Sequence, residues 1–260
     1  MRMWGSMLNR ESSVLVTGGT GLIGGEVIRG LLRRQVKRVR AVVRPMSHGD
    51  AADRLRARLA RSDNPHSIQD HGPHRRVARW DRPIEPLVHT DSETALEAIT
   101  GDVTLPRWGL SLRDFAEAAK SADFIVHSAA ETSFNRDRDC HEINVRGTEN
   151  LIDFTRQCSK NPLIVYLSTA CNVGKITHRC LLETEGCRPD NEHHNEYTRS
   201  KAIAEQMLKE SGLPVLVIRP SIVLSAGITD SRFARAILWF VPLVNEFECV
   251  PVDAAARMDV

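Results

Sequence analysis

A β-branched apolar run, Val14-Leu15-Val16, passes straight into Thr17-Gly18-Gly19-Thr20-Gly21-Leu22-Ile23-Gly24 and then into a helical stripe of Val27, Ile28, Leu31 and Leu32. A buried strand that turns directly into an amphipathic helix is the first half of a βαβ unit, with the helix laid back on the strand's own sheet. The glycines say how tightly the turn is made. Gly18 permits a sharp reversal, Gly21 lets backbone approach a pyrophosphate with no Cβ between, and Gly24 lets the helix pack close to the sheet. Unpaired N–H groups and the positive dipole end of the helix would then face a phosphate. Gly18, Thr20, Gly21, Leu22, Ile23 and Gly24 are therefore expected to line a dinucleotide site; the plainer alternative is a purely structural glycine turn.

The remainder of the chain repeats the alternation. Val39 to Val43, Ala98-Ile99, Phe124 to Val126, Leu163 to Leu167 and Val215 to Ile218 read as strands, and Ile143, Leu151, Ile152 and Phe154 mark another helical stripe. The expected fold class is α/β, a Rossmann doubly wound parallel sheet spanning residues 10–225. One stretch breaks the rhythm: 45–97 is polar and rich in Arg, Asp, His and Pro, with one amphipathic helix predicted around Asp53 to Leu59. It reads as an insertion. With 260 residues, 42% of them hydrophobic, a substantial core can be buried.

Charge and cysteine usage exclude several classes of function. A formal charge of +2 supplies no global field for nucleic acid, and the arginines crowded between Arg29 and Arg82 are expected to form a solvated surface. The six cysteines follow no CxxC spacing and no signal sequence opens the chain, so a reduced, cytoplasmic protein is expected. The apolar run Ala236 to Val244 is far shorter than the ~20 residues of a spanning helix and carries Pro242. His178, Cys180, Cys187, His193 and His194 cluster in sequence, but at no standard metal spacing; no metal is expected.

Cofactor choice turns on the residue at the end of the second strand, where an acid would bond a ribose 2′-hydroxyl. That residue is Arg44, which would instead pair with a 2′-phosphate. NADP(H) is expected, with Arg54 and Arg33 as possible helpers. Further along, Tyr197-Thr198-Arg199-Ser200-Lys201 sets a phenol and an amine four residues apart, hence on one helical face. A phenol ionises near pH ~10, and a neighbouring ammonium would lower that value and make Tyr197 a usable proton donor. Thr169, after the preceding strand, could bond the same substrate oxygen.

These segments together resemble the extended short-chain dehydrogenase/reductases, and within them the branch of thioester reductases and fatty acyl-CoA reductases. The resemblance runs from Val14 to Asp253. It rests most on Gly101-Asp102-Val103-Thr104-Leu105-Pro106-Arg107-Trp108-Gly109-Leu110-Ser111, with His127-Ser128-Ala129-Ala130, Ile143 to Thr148, Ser168-Thr169-Ala170 and Val250 to Asp253 in support. It implies that Asp102 and Val103 border the adenine and that Ser128, Ala129 and Ala130 line the path to the nicotinamide ribose. By the same likeness Asn144 supports the active-site helix and its proton relay, and the backbone around Pro220 and Ser221 touches the nicotinamide end. The chain departs from the pattern in its long polar insertion and in ending at Val260, so 226–260 is expected to be the start of a small, incomplete substrate-binding region.

The activity so implied is reduction of an acyl thioester by NADPH to an aldehyde, and in some relatives onward to an alcohol. The acyl group would ride on CoA or a carrier protein. Two other readings stand beside it: a dehydrogenase or epimerase acting on a sterol-like or sugar-nucleotide alcohol, and a non-catalytic NADP-binding regulator.

Overall fold

The computed structural model describes residues 8–45, 50–60, 94–134, 136–176, 182, 184–221 and 223. Six parallel strands, β1 (Ser13–Thr17), β2 (Arg38–Val43), β3 (Ala95–Thr100), β4 (Phe124–His127), β5 (Leu163–Leu167) and β6 (Val215–Ile218), form one sheet in the order β3-β2-β1-β4-β5-β6. This is the doubly wound order, reversing direction between β1 and β4. All six predicted strands are present; β3 extends three residues further back than the apolar pair Ala98-Ile99 suggested, and so ends the insertion at Ala95 rather than at residue 97.

Strand residues of alternate parity enter two separate cores. Val14, Val16 and Val126 pack with Ile28 and Leu31 of α1 (Leu22–Arg33) and Leu55 of α2 (Ala51–Ala60). Leu15, Ile125 and Ile164 face the other way, toward Ala118 of α3 (Leu112–Ser121), and toward α5 (Gly147–Arg156) and α6 (Glu196–Glu210) through Leu151 and Leu208. Covering both faces explains why the strands read as continuous apolar runs instead of alternating ones. Between α4 (Asp137–Cys140) and α5 the helix widens into a π turn, His141–Arg146. The sequence stripe through Ile143 carried no sign of it.

The segment from Gly101 to Ser111 folds as a compact loop beside β3. Arg107 and Trp108 take left-handed backbone conformations, φ 52° and 55°, which bulky residues rarely tolerate. Burial holds the tryptophan there: Trp108 is fully buried and stacks on Phe154 with ring centroids 4.4 Å apart. Its carbonyl accepts from the Asp102 N–H at 2.7 Å, closing the loop.

Arginine crowding proves partly internal, contrary to the expected solvated surface. Arg40 is buried on the α3 face of the sheet, donating to Glu97 at 2.6 Å, Glu117 at 2.9 Å and Ser121 at 2.7 Å. Arg29, equally buried, donates to the carbonyls of Arg58 and Leu59 and so satisfies the last turn of α2. Composition records a guanidinium but not the acceptors that folding brings to it. The predicted helix at Asp53 to Leu59 is α2 itself. The runs 226–260 and 236–244 lie outside the described residues, and among the described residues no helix is long and apolar enough to cross a membrane.

Two stability measurements follow from this packing. Trp108→Ala is expected to lower the unfolding free energy by about 3–5 kcal/mol, the cost of emptying an aromatic site, read from denaturant curves. His127 is buried, 3.0 Å from the Thr17 hydroxyl and stacked on Tyr166; burial, and then the charge of Lys201, push its pKa from 6.5 down to about 3. The unfolded chain therefore takes up this proton first on acidification, so stability is intact above pH 6.5 and declines toward about 3. His127→Gln should flatten that limb, and an unchanged acid profile would refute the assignment.

Candidate active site

Where β1 and β4 part, their C-terminal ends border a cleft of about 210 Å³ lined by Gly18, Thr20, Gly21, Val42, Arg44, Arg54, Gly101, Asp102, Val103, Ser128, Ala129, Ala130 and Ile143. Ligands of open α/β sheets bind at this switch point. The glycine turn has the predicted division of labour. Gly18 has φ +71°, and a Cβ there would stand 2.5 Å from the Ala129 nitrogen. A Cβ on Gly24 would meet the Gly18 carbonyl at 2.2 Å, whereas one on Gly21 would meet only that carbonyl, at 3.1 Å, and otherwise project into open space. Gly18 and Gly24 are thus packing positions, and Gly21 is the bare backbone that a phosphate could approach. Leu22, Ile23 and Gly24 do not line the cleft; they form the first turn of α1 behind it.

Arg44 and Arg54 stand together on one rim, the Arg54 guanidinium donating to the Arg44 carbonyl. Two cations there suit a 2′-phosphate. Arg33 does not join them, because it ends α1, about 16 Å of helix from the turn at 1.5 Å per residue. Sequence reasoning missed Arg58. From α2 it donates to the carbonyls of Gly21 at 3.0 Å and Leu22 at 3.2 Å, fastening the insertion helix to the phosphate turn. Its i+4 relation to Arg54 was the available signal. On the opposite wall, Asp102 accepts from the Thr104 N–H and hydroxyl, both at 2.9 Å, and Asn150 donates to the Val103 carbonyl at 2.8 Å. Ser128 donates to the Thr17 carbonyl at 2.7 Å, which spans the β1/β4 seam.

The predicted Thr169, Tyr197 and Lys201 group lies one strand further along. Thr169 follows β5, Tyr197 opens α6, and the Thr169 hydroxyl comes near enough to the phenol to lower its pKa. Asn195 caps α6, accepting from the Thr198 N–H at 2.9 Å, so the helix begins where Tyr197 must be placed. Lys201 is buried one turn below, but its ammonium turns to the Leu167 carbonyl and lies 4.1 Å from the centre of the Tyr166 ring. The expected direct lowering of the Tyr197 pKa by Lys201 is therefore not found. Burial raises it, with Thr169 acting in the opposite sense. Burial also brings Lys201 down to about 7, opposed by the negative charge of Glu205.

Asn144 sits in the π turn and does not face the cleft. Its amide donates to Ser200 at 2.9 Å and to the Glu131 carbonyl at 3.0 Å, while its oxygen accepts from the Glu131 N–H at 2.9 Å. It therefore ties the loop after β4 to the helix bearing Tyr197. Pro220 and Ser221 follow β6 and do not line the cleft, the Pro220 carbonyl being bonded to the Ala170 N–H at 3.0 Å. His178 and Cys180 of the sequence cluster lie outside the described residues. His193 contacts the Thr198 hydroxyl at 3.2 Å and the Arg188 carbonyl at 3.0 Å, and burial pushes the Cys187 thiol up to about 11.

A family model described as Male sterility protein, of the NAD-binding type, matches residues 16–258. The chain belongs to the male sterility protein family. It is 26% identical over 246 residues to the fatty acyl-CoA reductase wat of Drosophila melanogaster, covering 84% of this chain and 44% of that protein. It is also 26% identical over 242 residues to the hybrid PKS-NRPS synthetase gkaA of Penicillium citrinum, covering 90% of this chain and 5% of the synthetase. Among solved structures, the reductase (R) domain of a nonribosomal peptide synthetase from Mycobacterium tuberculosis superimposes with a TM-score of 0.61 at 27% identity, over 85% of this chain and 51% of that one. The chain thus spans less than half the length of either curated relative.

The two rim arginines make a direct test of cofactor choice. Arg44→Asp is expected to weaken NADPH binding at least tenfold more than NADH binding, since a charge-assisted phosphate contact becomes a repulsion. Fluorescence titration of both cofactors reads it, and equal losses would remove Arg44 from the phosphate.

Proposed function

We propose that this protein is an NADPH-dependent reductase of acyl thioesters, releasing an aldehyde. The observation that carries the reading is the pairing of Tyr197 with Thr169 at the same C-terminal edge of the sheet as the glycine-lined cleft. Bare backbone at Gly21, a helix N-terminus and two rim arginines fit a dinucleotide with a 2′-phosphate. Arg44 and Arg54 would hold that phosphate, Asp102 and Val103 would border the adenine, and Ser128 to Ala130 would lead toward the reacting end. Pro220 and Ser221 would offer backbone beside the nicotinamide.

When bound, the reduced cofactor supplies a hydride to the thioester carbonyl carbon. The residues manage the oxygen that gains charge. Thr169 donates a hydrogen bond to it and Tyr197 delivers the proton, giving a hemithioacetal whose C–S bond breaks to leave a thiol and an aldehyde. A phenol whose pKa is raised by burial holds its proton until such an acceptor arrives. Lys201, brought to about 7, keeps a positive charge beneath the site below that pH and loses it above. Asn144 holds the helix in register through Ser200.

Thioester rather than sugar or sterol substrates are favoured by the folded Gly101 to Ser111 loop, the segment by which this chain resembles thioester reductases, and by the names of its relatives. Long-chain acyl-CoA and an acyl-loaded carrier protein are both candidate substrates. Tyr197→Phe should bind NADPH as the parent does yet lose at least a hundredfold in thioester-dependent NADPH oxidation, the scale of one general acid. Assays with acyl-CoA, acyl carrier protein, aldehydes and sugar nucleotides separate the readings; turnover of sugar nucleotides alone would overturn this one.

A further inference from the structure

Glu205 lies on α6 one helical turn beyond Lys201, with its side chain only 4% exposed. A carboxylate is costly to bury unless donors surround it. Ser168 donates to it at 2.7 Å, Asn172 through its amide, and Arg219 through Nε at 3.2 Å and again through Nη2. Arg219 is itself anchored on the Glu185 carbonyl at 2.8 Å. These donors come from the loop after β5 and the residue after β6, so one carboxylate on α6 gathers two other pieces of chain.

Two of the three donors bracket Thr169. Ser168 precedes it and Asn172 follows three residues later, and both bond the same carboxylate oxygen as Arg219 Nε. The Asn172 amide also donates to the Ser168 hydroxyl at 3.3 Å, which closes the loop that presents Thr169. Glu205 also stands four residues from Lys201 on α6, so the two share one helical face and the carboxylate's charge acts on the lysine. A buried ion pair adds little net stability over well-packed apolar side chains. Its placement directly behind two reacting residues calls for another reason.

We propose that Glu205 is a positioning residue of the reduction site: its carboxylate fixes the loop that carries Thr169 and supplies the negative charge facing Lys201 from one helical turn away. The inference rests on the roles given above to Thr169 and Lys201. Around Lys201, β5 contributes the Leu167 carbonyl and the Tyr166 ring, β4 contributes His127, whose pKa of about 3 leaves it neutral, and the packed π turn contributes uncharged Asn144. Tyr197 and Glu205 complete the surroundings from α6 itself. Of these groups Glu205 is the anion. Burial drives the lysine toward its neutral form and Glu205 opposes that, so removing the carboxylate must lower the pH at which the ammonium loses its proton.

The test is a titration that needs no turnover. Protein labelled with 13Cε-lysine gives a Lys201 resonance, assigned by its loss in Lys201→Met, whose midpoint is followed by NMR. Glu205→Gln should move the midpoint down by about one pH unit, the scale of a single charge contact in a partly polar interior. Arg219→Met should move it up, because the carboxylate is then less neutralised, and Glu205→Asp should restore most of the parent value. Should Glu205→Gln strand Arg219 and fail to fold, the double variant Glu205→Gln/Arg219→Met removes both charges and should still show a downward shift. The pH above which thioester reduction declines should follow the lysine midpoint. A folded Glu205→Gln protein with an unmoved Lys201 midpoint would overturn the proposal and leave the pair as a packing device. Failure of the parent protein to reduce any thioester would overturn the activity proposed above but not this assignment, since the titration is read without substrate.

Discussion

The fit of Gly24 against the Gly18 carbonyl and the Ser128 hydroxyl sets the distances on which the site depends. A Cβ at Gly24 would lie 2.2 Å from the one and 2.6 Å from the other, so any larger residue would lift α1 off the seam between β1 and β4. That seam is where the sheet order reverses and where the cleft opens. Because α1 sits so low, the bare backbone of Gly21 just before it lines the cleft with no side chain in the way. Arg58 reinforces the arrangement from outside by bonding the Gly21 and Leu22 carbonyls. The polar insertion thereby becomes part of the nucleotide site through its helix.

Burial works in two directions at the reacting end. It raises the Tyr197 pKa and lowers that of Lys201, favouring the neutral form of each. A dry site strengthens every hydrogen bond offered to a developing oxyanion. It also tends to discharge Lys201. Glu205, held by Ser168, Asn172 and Arg219, opposes that tendency from within the protein. The same carboxylate shapes the Thr169 loop, so geometry and charge at the site share one anchor.

Most strands were legible because each is buried on both faces and so forms an unbroken apolar run; β3 was cut short because the charged Glu97 separates Ala95 and Leu96 from Ala98 and Ile99. The glycine turn was legible because each glycine answers a separate steric demand. Less could be read of the arginines. Arg29 and Arg40 look no different in sequence from exposed Arg56, yet they close carbonyls and carboxylates contributed by segments up to 77 residues away. The π turn at His141 to Arg146 was equally hidden, since one added residue in a helical stripe hardly disturbs its period.

By itself, the amino-acid order determined the parallel α/β scaffold, the glycine turn and the shared helical face of Tyr197 and Lys201, because these follow from steric rules and from spacing along a single element. Tertiary structure alone decided where long side chains went. A four-residue spacing places the Cβ atoms of Tyr197 and Lys201 on one face, but the lysine stem is long enough to reach β5, where the Leu167 carbonyl and the Tyr166 ring receive its charge. Whether a buried ion is tolerated depends on donors that only folding assembles, and for Glu205 those donors came from two stretches of chain, the loop after β5 and the residue after β6, that no local pattern connects.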